Sequence, residues 1–187
     1  MKIDRDLAKK LIAEQYPQWS SLEITPIVPG GWDNRTFRLG RDKLIRMPSA
    51  ECYAGKVAKE QCWLPRLAKK LSVVIPTPLA KGHASDAYPW DWSVYQWIEG
   101  ETCAHAQALD AGLLAKDLAL FILSLQAIDP SGGPLAGEHT FYRGCAPSFY
   151  DEQAREAIVR LGVRIDAEKA LSIWSSAIKT SWAHAPV

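Results

Sequence analysis

The chain has 187 residues, 48% of them hydrophobic, which is enough for one large domain or two small lobes with a real core and excludes a disordered polypeptide. Its 22 Lys and Arg almost balance 21 Asp and Glu, so no global field draws it to nucleic acid or to an anionic membrane, and phosphate binding, if present, has to be local. No apolar stretch approaches the roughly 20 residues a membrane span requires, and the opening MKIDRDLAKK lacks an apolar signal core, so the chain reads as cytoplasmic.

Residues 6–16 carry Leu7, Leu11, Ile12 and Tyr16 near helical spacing, and Pro17 stops the pattern because its ring clashes with a continuing turn. Residues 22–28 come close to alternation, Gly30 and Gly31 follow, and the runs 36–39 and 43–47 flank the polar GRDK, which predicts three antiparallel strands. Helix formers dominate 51–71, with Pro65 either kinking the segment or opening a new turn. VVIPTPLAKG resumes extended structure, since each residue before a proline is pushed toward the β region, and WSVYQWIEG reads as a buried strand that leaves through a turn at Gly100. Over 110–128, Leu114, Leu118, Phe121, Ile122 and Leu125 share a helical face, which predicts a core helix ended by Pro130 and Gly132-Gly133. A Gly- and Pro-rich loop over 131–147 precedes a helix at 150–161 and another that starts at Asp166 as N-cap and buries Leu171, Trp174, Ile178 and Trp182. The sheet belongs to the first half and the later helices to the second, an α+β chain.

Cys52, Cys62, Cys103 and Cys145 lie too far apart for a Cys-x-x-Cys pattern and read as free structural thiols. His83, His105, His139 and His184 are equally scattered, so no metal cage is legible.

The order strand, glycine turn, strand, turn, strand with a terminal cation, then a helix with a carboxylate matches what a nucleotide-gripping kinase lobe requires. Glycines let the backbone come close to phosphate oxygens, and Gly30 and Gly31 qualify, with Asn34 as a nearby side-chain donor. Arg46, at the end of the third strand, is the candidate to neutralise phosphates, and Glu60 on the following helix is the candidate to hold it in place. Gln96, Trp97 and Ile98, leaving the buried strand, are placed to offer backbone groups to a purine edge. Each signal has an ordinary reading alone: a plain turn, a solvated strand end, an exposed helix residue, a core strand. In this order they support one another.

The stretches GGWDNRTFRLG, KLIRMP, KEQCWLPRLA and YPWDWSVYQWIEGE, with an echo in LALFILSLQAIDPSGGP, resemble the aminoglycoside phosphotransferase family, whose members look like small protein kinases. The resemblance runs from about Pro29 to Pro134 and implies a protein-kinase-like amino lobe over 1–98, antiparallel sheet plus helix, followed over 99–187 by an incomplete helical carboxy-terminal lobe. It further implies ATP with magnesium (Mg2+), Arg46 in the place of the phosphate-contacting lysine, Glu60 as its partner and a hinge at Gln96 to Ile98. Two departures matter. Arginine replaces lysine, and its planar fork is bulkier than a point charge. No His is followed two places later by Asp, and the sole Asn is Asn34, so the family's catalytic loop is absent and no catalytic residue is assigned. The chain stops at WAHAPV, about where relatives enter that loop, so the expected fragment grips a nucleotide and turns nothing over, with the metal ligands beyond its end.

The acceptor implied is a small polar molecule with a hydroxyl, such as an aminoglycoside; choline, homoserine and a macrolide are the alternatives within the same chemistry. Glu101, Asp110 and Glu138 read as helix-start or loop charges rather than acceptor ligands. The competing class is a non-catalytic nucleotide-binding or assembly module that self-associates through the face around Trp174 and Trp182.

Overall fold

The computed structural model describes residues 1–103, 105–106 and 108–180. Two compact units divide the chain, Met1–Asp129 and Pro130–Val187.

In the first unit, helix α1 (Arg5–Gln15) begins on Asp4, whose carboxylate accepts the Asp6 and Leu7 amides at 3.1 Å each. Pro17 ends it, and opens a short turn over Pro17–Trp19. Strands β1 (Ile24–Pro26), β2 (Asn34–Leu39) and β3 (Lys43–Pro48) follow, then helix α2 (Glu51–Leu67), β4 (Pro78–Gly82) and β5 (Trp92–Gln96). The five strands form one antiparallel sheet in the order β1-β2-β3-β5-β4, so the last strand inserts between its predecessor and the first hairpin. Gly40, at φ 60°, takes the left-handed position in the GRDK turn, where a side chain would be strained.

Alternation gives the sheet two unlike faces. Phe37, Leu39, Ile45, Met47, Trp92 and Val94 point to one face and pack with Ala8, Leu11 and Ile12 of α1 and with Tyr88 as the hydrophobic core. The other face carries Thr36, Arg38, Leu44, Arg46, Ser93 and Tyr95, placed side by side by the pairs Thr36 with Arg46, Arg46 with Ser93, and Leu44 with Tyr95. Helix α2 lies against this polar face. Gln61 ties it down, donating to the Ala80 carbonyl at 3.0 Å and to the buried Ser93 hydroxyl at 2.9 Å. Pro65 sits inside α2, which ends soon afterwards at Leu67, short of the 71 expected from composition.

Helix α3 (Ala111–Gln126) forms where expected, with Asp110 as its N-cap accepting the Leu113 amide at 2.9 Å. Its core character is not borne out: Leu118 is 53% exposed, Leu123 62%, and no α3 residue is buried. The helix is apolar around most of its circumference, so periodicity reports a surface suited to burial without saying what covers it.

The second unit contains α4 (Asp151–Leu161) and α5 (Ala167–Ala177), which pack on each other. Asp166 caps α5 through the Lys169 amide at 2.9 Å. Asp151 accepts from Arg155 at 2.8 Å and from the Trp174 indole at 2.7 Å, so it is a link between the helices rather than a solvated charge. Leu171, Trp174 and Ile178 are half-buried rather than buried, and Trp182 lies outside the described residues. All four cysteines are free, and Cys52, Cys62 and Cys103 are exposed, which corrects their reading as structural thiols. Among the described residues no helix is long and apolar enough to cross a membrane.

Gly82 is opposite the buried Trp92 in the β4–β5 ladder, and a Cβ there would overlap the indole ring. Gly82→Ala is therefore expected to lower unfolding free energy by about 3 kcal/mol, because a core indole has no room to retreat. Urea denaturation checks this, and a variant as stable as the parent would contradict the packing.

Candidate functional site

Arg46 lies within β3, two residues before its end rather than at it, and it meets the carboxylate on α2. Arg46 Nη1 donates to Glu60 Oε2 at 3.0 Å, with side chains 28% and 25% exposed. Fully exposed pairs contribute roughly 0.2–1 kcal/mol, and partial shielding from water puts this one toward the upper end. Tyr95 adds a second donor: its hydroxyl gives a hydrogen bond to the same Glu60 oxygen at 2.5 Å, and its ring centroid lies 5.5 Å from the Arg46 guanidinium carbon. Burial, then the bond to Glu60, pushes the Tyr95 hydroxyl above the ordinary tyrosine range, which favours the protonated, donating phenol. One carboxylate oxygen thus collects a guanidinium and a phenol, and the free guanidinium edge is presented on the polar sheet face.

The glycine segment is fastened to the turn between β3 and α2. The Ser49 amide donates to the Asp33 carbonyl at 2.9 Å, and its hydroxyl donates to the Trp32 and Asp33 carbonyls at 2.9 and 3.1 Å. Arg35 Nη1 donates to the Gly31 carbonyl at 3.0 Å. Together these residues enclose an open cleft of about 380 Å³ lined by Gly30, Gly31, Trp32, Arg35, Ser49 and Tyr53, among others. Neither glycine has a positive φ, and a Cβ on Gly30 or Gly31 would come no closer than 3.7 or 3.5 Å to another heavy atom. The chain's own packing therefore does not demand glycine here, since a side chain's first carbon would meet only ordinary van der Waals contact. Asn34 starts β2 opposite Pro48, two residues along the hairpin from the Thr36–Arg46 pair.

Gln96, Trp97 and Ile98 leave the sheet beside β3, with Gln96 paired to Lys43. The Gln96 amide donates to the Thr77 carbonyl and the Trp97 amide to the Asp42 carbonyl, both at 2.8 Å. These two N–H groups are committed to the protein, which narrows the expected hinge donor to Ile98, 40% exposed. The Arg38 guanidinium lies 4.0 Å from the Trp97 ring centroid and pairs with Glu99 at 2.9 Å, which fixes the indole beside the sheet.

Sequence reading did not single out Tyr95, Gln61, Ser93, Ser49, Asp33 or Lys56. Tyr95 and Ser93 reach the site through strand register, which the sequence does not print; only the alternation of β5 hinted that they share a face. Among the described residues no group of three His, Cys, Asp or Glu could hold a metal.

A five-stranded antiparallel sheet with a helix laid on its polar face, and a strand cation held by a glutamate of that helix, is a kinase-like fold. The chain belongs to the phosphotransferase enzyme family, whose model matches residues 24–186. The fold is similar to the GDP complex of aminoglycoside 2'-phosphotransferase-IIIa, with TM-score 0.68 and 19% identity over 95% of this chain and 60% of that one. It is also similar to an ADP-bound aminoglycoside phosphotransferase, TM-score 0.54 and 20% identity over 92% of this chain and 57% of that one. A third similar structure is the macrolide 2'-phosphotransferase of Brachybacterium faecium, TM-score 0.53 and 20% identity over 86% of this chain and 55% of that one. The chain thus spans no more than about 60% of the length of these three structures. A search of curated proteins found no match.

Tyr95→Phe removes one donor from Glu60 and leaves the ring in place. Unfolding free energy is expected to fall by about 1.5–3 kcal/mol, the range for a hydrogen bond to a charged group. Chemical denaturation at neutral pH measures it, and an unchanged midpoint and slope would show that the phenol does not hold the carboxylate.

Proposed function

We propose that the chain is the nucleotide-gripping part of a kinase that transfers the γ-phosphate of ATP to a hydroxyl of a small polar acceptor such as an aminoglycoside. The observation that carries this reading is the Arg46–Glu60 pair on the polar sheet face. Arg46 contacts the phosphates through the guanidinium edge that Glu60 leaves free, and Glu60, backed by Tyr95, stops the long side chain from swinging into solvent. The Gly30 and Gly31 amides and the Asn34 side chain approach the same phosphates, and the purine edge meets the backbone at Gln96 to Ile98, with Ile98 as the donor.

The aminoglycoside and macrolide enzymes among the structural neighbours favour an acceptor of that kind, and their complexes with GDP, ATP and ADP favour a purine nucleotide. The nucleotide lobe is assigned to residues 1–98 and the start of the helical lobe to 99–187. With one Asn and no His-x-Asp in 187 residues, the chain as given binds nucleotide without transferring phosphate. Magnesium arrives bridging the phosphates of the nucleotide. Free, exposed thiols suit a reducing compartment, which favours the cytoplasm.

Calorimetric titration of the purified chain with magnesium–ATP and magnesium–GTP tests the reading. Saturable binding of at least one is expected, and Arg46→Ala should weaken it about tenfold or more, in line with loss of a charge-assisted contact to phosphate. No binding of either nucleotide by the wild-type chain would overturn the proposal.

A further inference from the structure

Helix α2 carries a second ion pair one turn before Glu60. Lys56 Nζ lies 2.5 Å from Asp33 Oδ2, with side chains 25% and 40% exposed. Lys56 and Glu60 are four residues apart on α2, so they share a face and stand ~6 Å apart along its axis. Arg46 pairs with Thr36, and Asp33, three residues before Thr36, lies ~10 Å further along the hairpin. The helix and the hairpin are thus joined by two charged rungs of opposite polarity. The first rung, Glu60 with Arg46, sets the cation. The second, Lys56 with Asp33, ends on the glycine segment itself, at the residue whose carbonyl already accepts from Ser49.

We propose that Lys56 and Asp33 are a positioning pair that fixes the glycine segment relative to the Arg46 guanidinium and so sets affinity for the polyphosphate of a nucleotide. This rests on the nucleotide-lobe reading above. Neither side chain has to touch the ligand. Without the second rung, Gly30 to Asp33 keeps its Ser49 and Arg35 bonds but loses its side-chain tie to α2, and the backbone amides no longer hold a fixed distance from the cation that binds the same phosphates. Glu60 through Arg46, and Lys56 through Asp33, make the seating of α2 a common setting for both halves of the grip.

The full chain tests this as wild type, Lys56→Met, Asp33→Asn, the double variant, and the charge exchange Asp33→Lys with Lys56→Asp. Magnesium–ATP and magnesium–GTP affinities are measured by calorimetry, and hydrogen exchange follows residues 30–34 against residues 45–46. Each single variant is expected to bind about threefold to fivefold more weakly, the double variant no more weakly than either single, and the charge exchange to recover most of the loss. Exchange should rise at 30–34 and stay level at 45–46. Should Lys56→Met fail to fold, Asp33→Asn, which keeps the side chain's size, carries the same comparison. Wild-type binding with single variants that bind equally well, or with losses that add, overturns the pair while leaving the nucleotide reading intact. A wild-type chain that binds neither nucleotide overturns the nucleotide reading, and the pair's role falls with it.

Discussion

The attachment of α2 to the sheet depends on a carboxylate that two elements share. Glu60 takes a guanidinium from β3 and a phenol from β5 on one oxygen, and Gln61, the next residue, bonds to β4 and β5. Of the helix only Val57 is fully buried, with Tyr53, Trp63, Leu64 and Leu67 half-buried. Its register against the strands is set by directional bonds at named atoms. Apolar ridges packing into grooves are the common means of docking a helix, and here directional bonds join them across a polar sheet face.

A division of labour follows. The face of the sheet toward α1 carries the hydrophobic core, with Trp92, Tyr88, Leu39 and Ile45 essentially inaccessible to water, and supplies a rigid platform. The opposite face, freed from that duty, presents Arg46, Arg38 and the ends of β2 and β5. Sites built on strands hold their side chains more closely than sites on loops, and here the loop that takes part, Gly30 to Asp33, is itself fastened by Ser49, Arg35 and Lys56.

Much of this was legible before the coordinates. Period-two and period-3.6 patterns place α1, the three-stranded start of the sheet, β5, α3 and α4 within a few residues, because burial on one side writes itself into alternation. The pairing of Arg46 with Glu60 was also readable, since strand order and a carboxylate on the next helix leave few other partners. What was not legible has two causes. Tyr95, Ser93 and Asp33 join the site through register and turn geometry, which depend on pairings between residues many positions apart. The setting of α3 failed for a different reason: its apolar face reports that it can be buried, and nothing in a single helix records whether a partner covers it, so Leu118 and Leu123 are exposed where a core was expected.

The central claim is that Glu60 acts on nucleotide binding through Arg46 and not by itself. A double-mutant cycle with Arg46→Met, Glu60→Gln and both, read in magnesium–nucleotide affinity, tests it most directly. The account predicts that the double variant binds no worse than Arg46→Met alone, a coupling of about 1 kcal/mol or more. Losses that add, or a Glu60→Gln chain that binds as well as wild type, would contradict it.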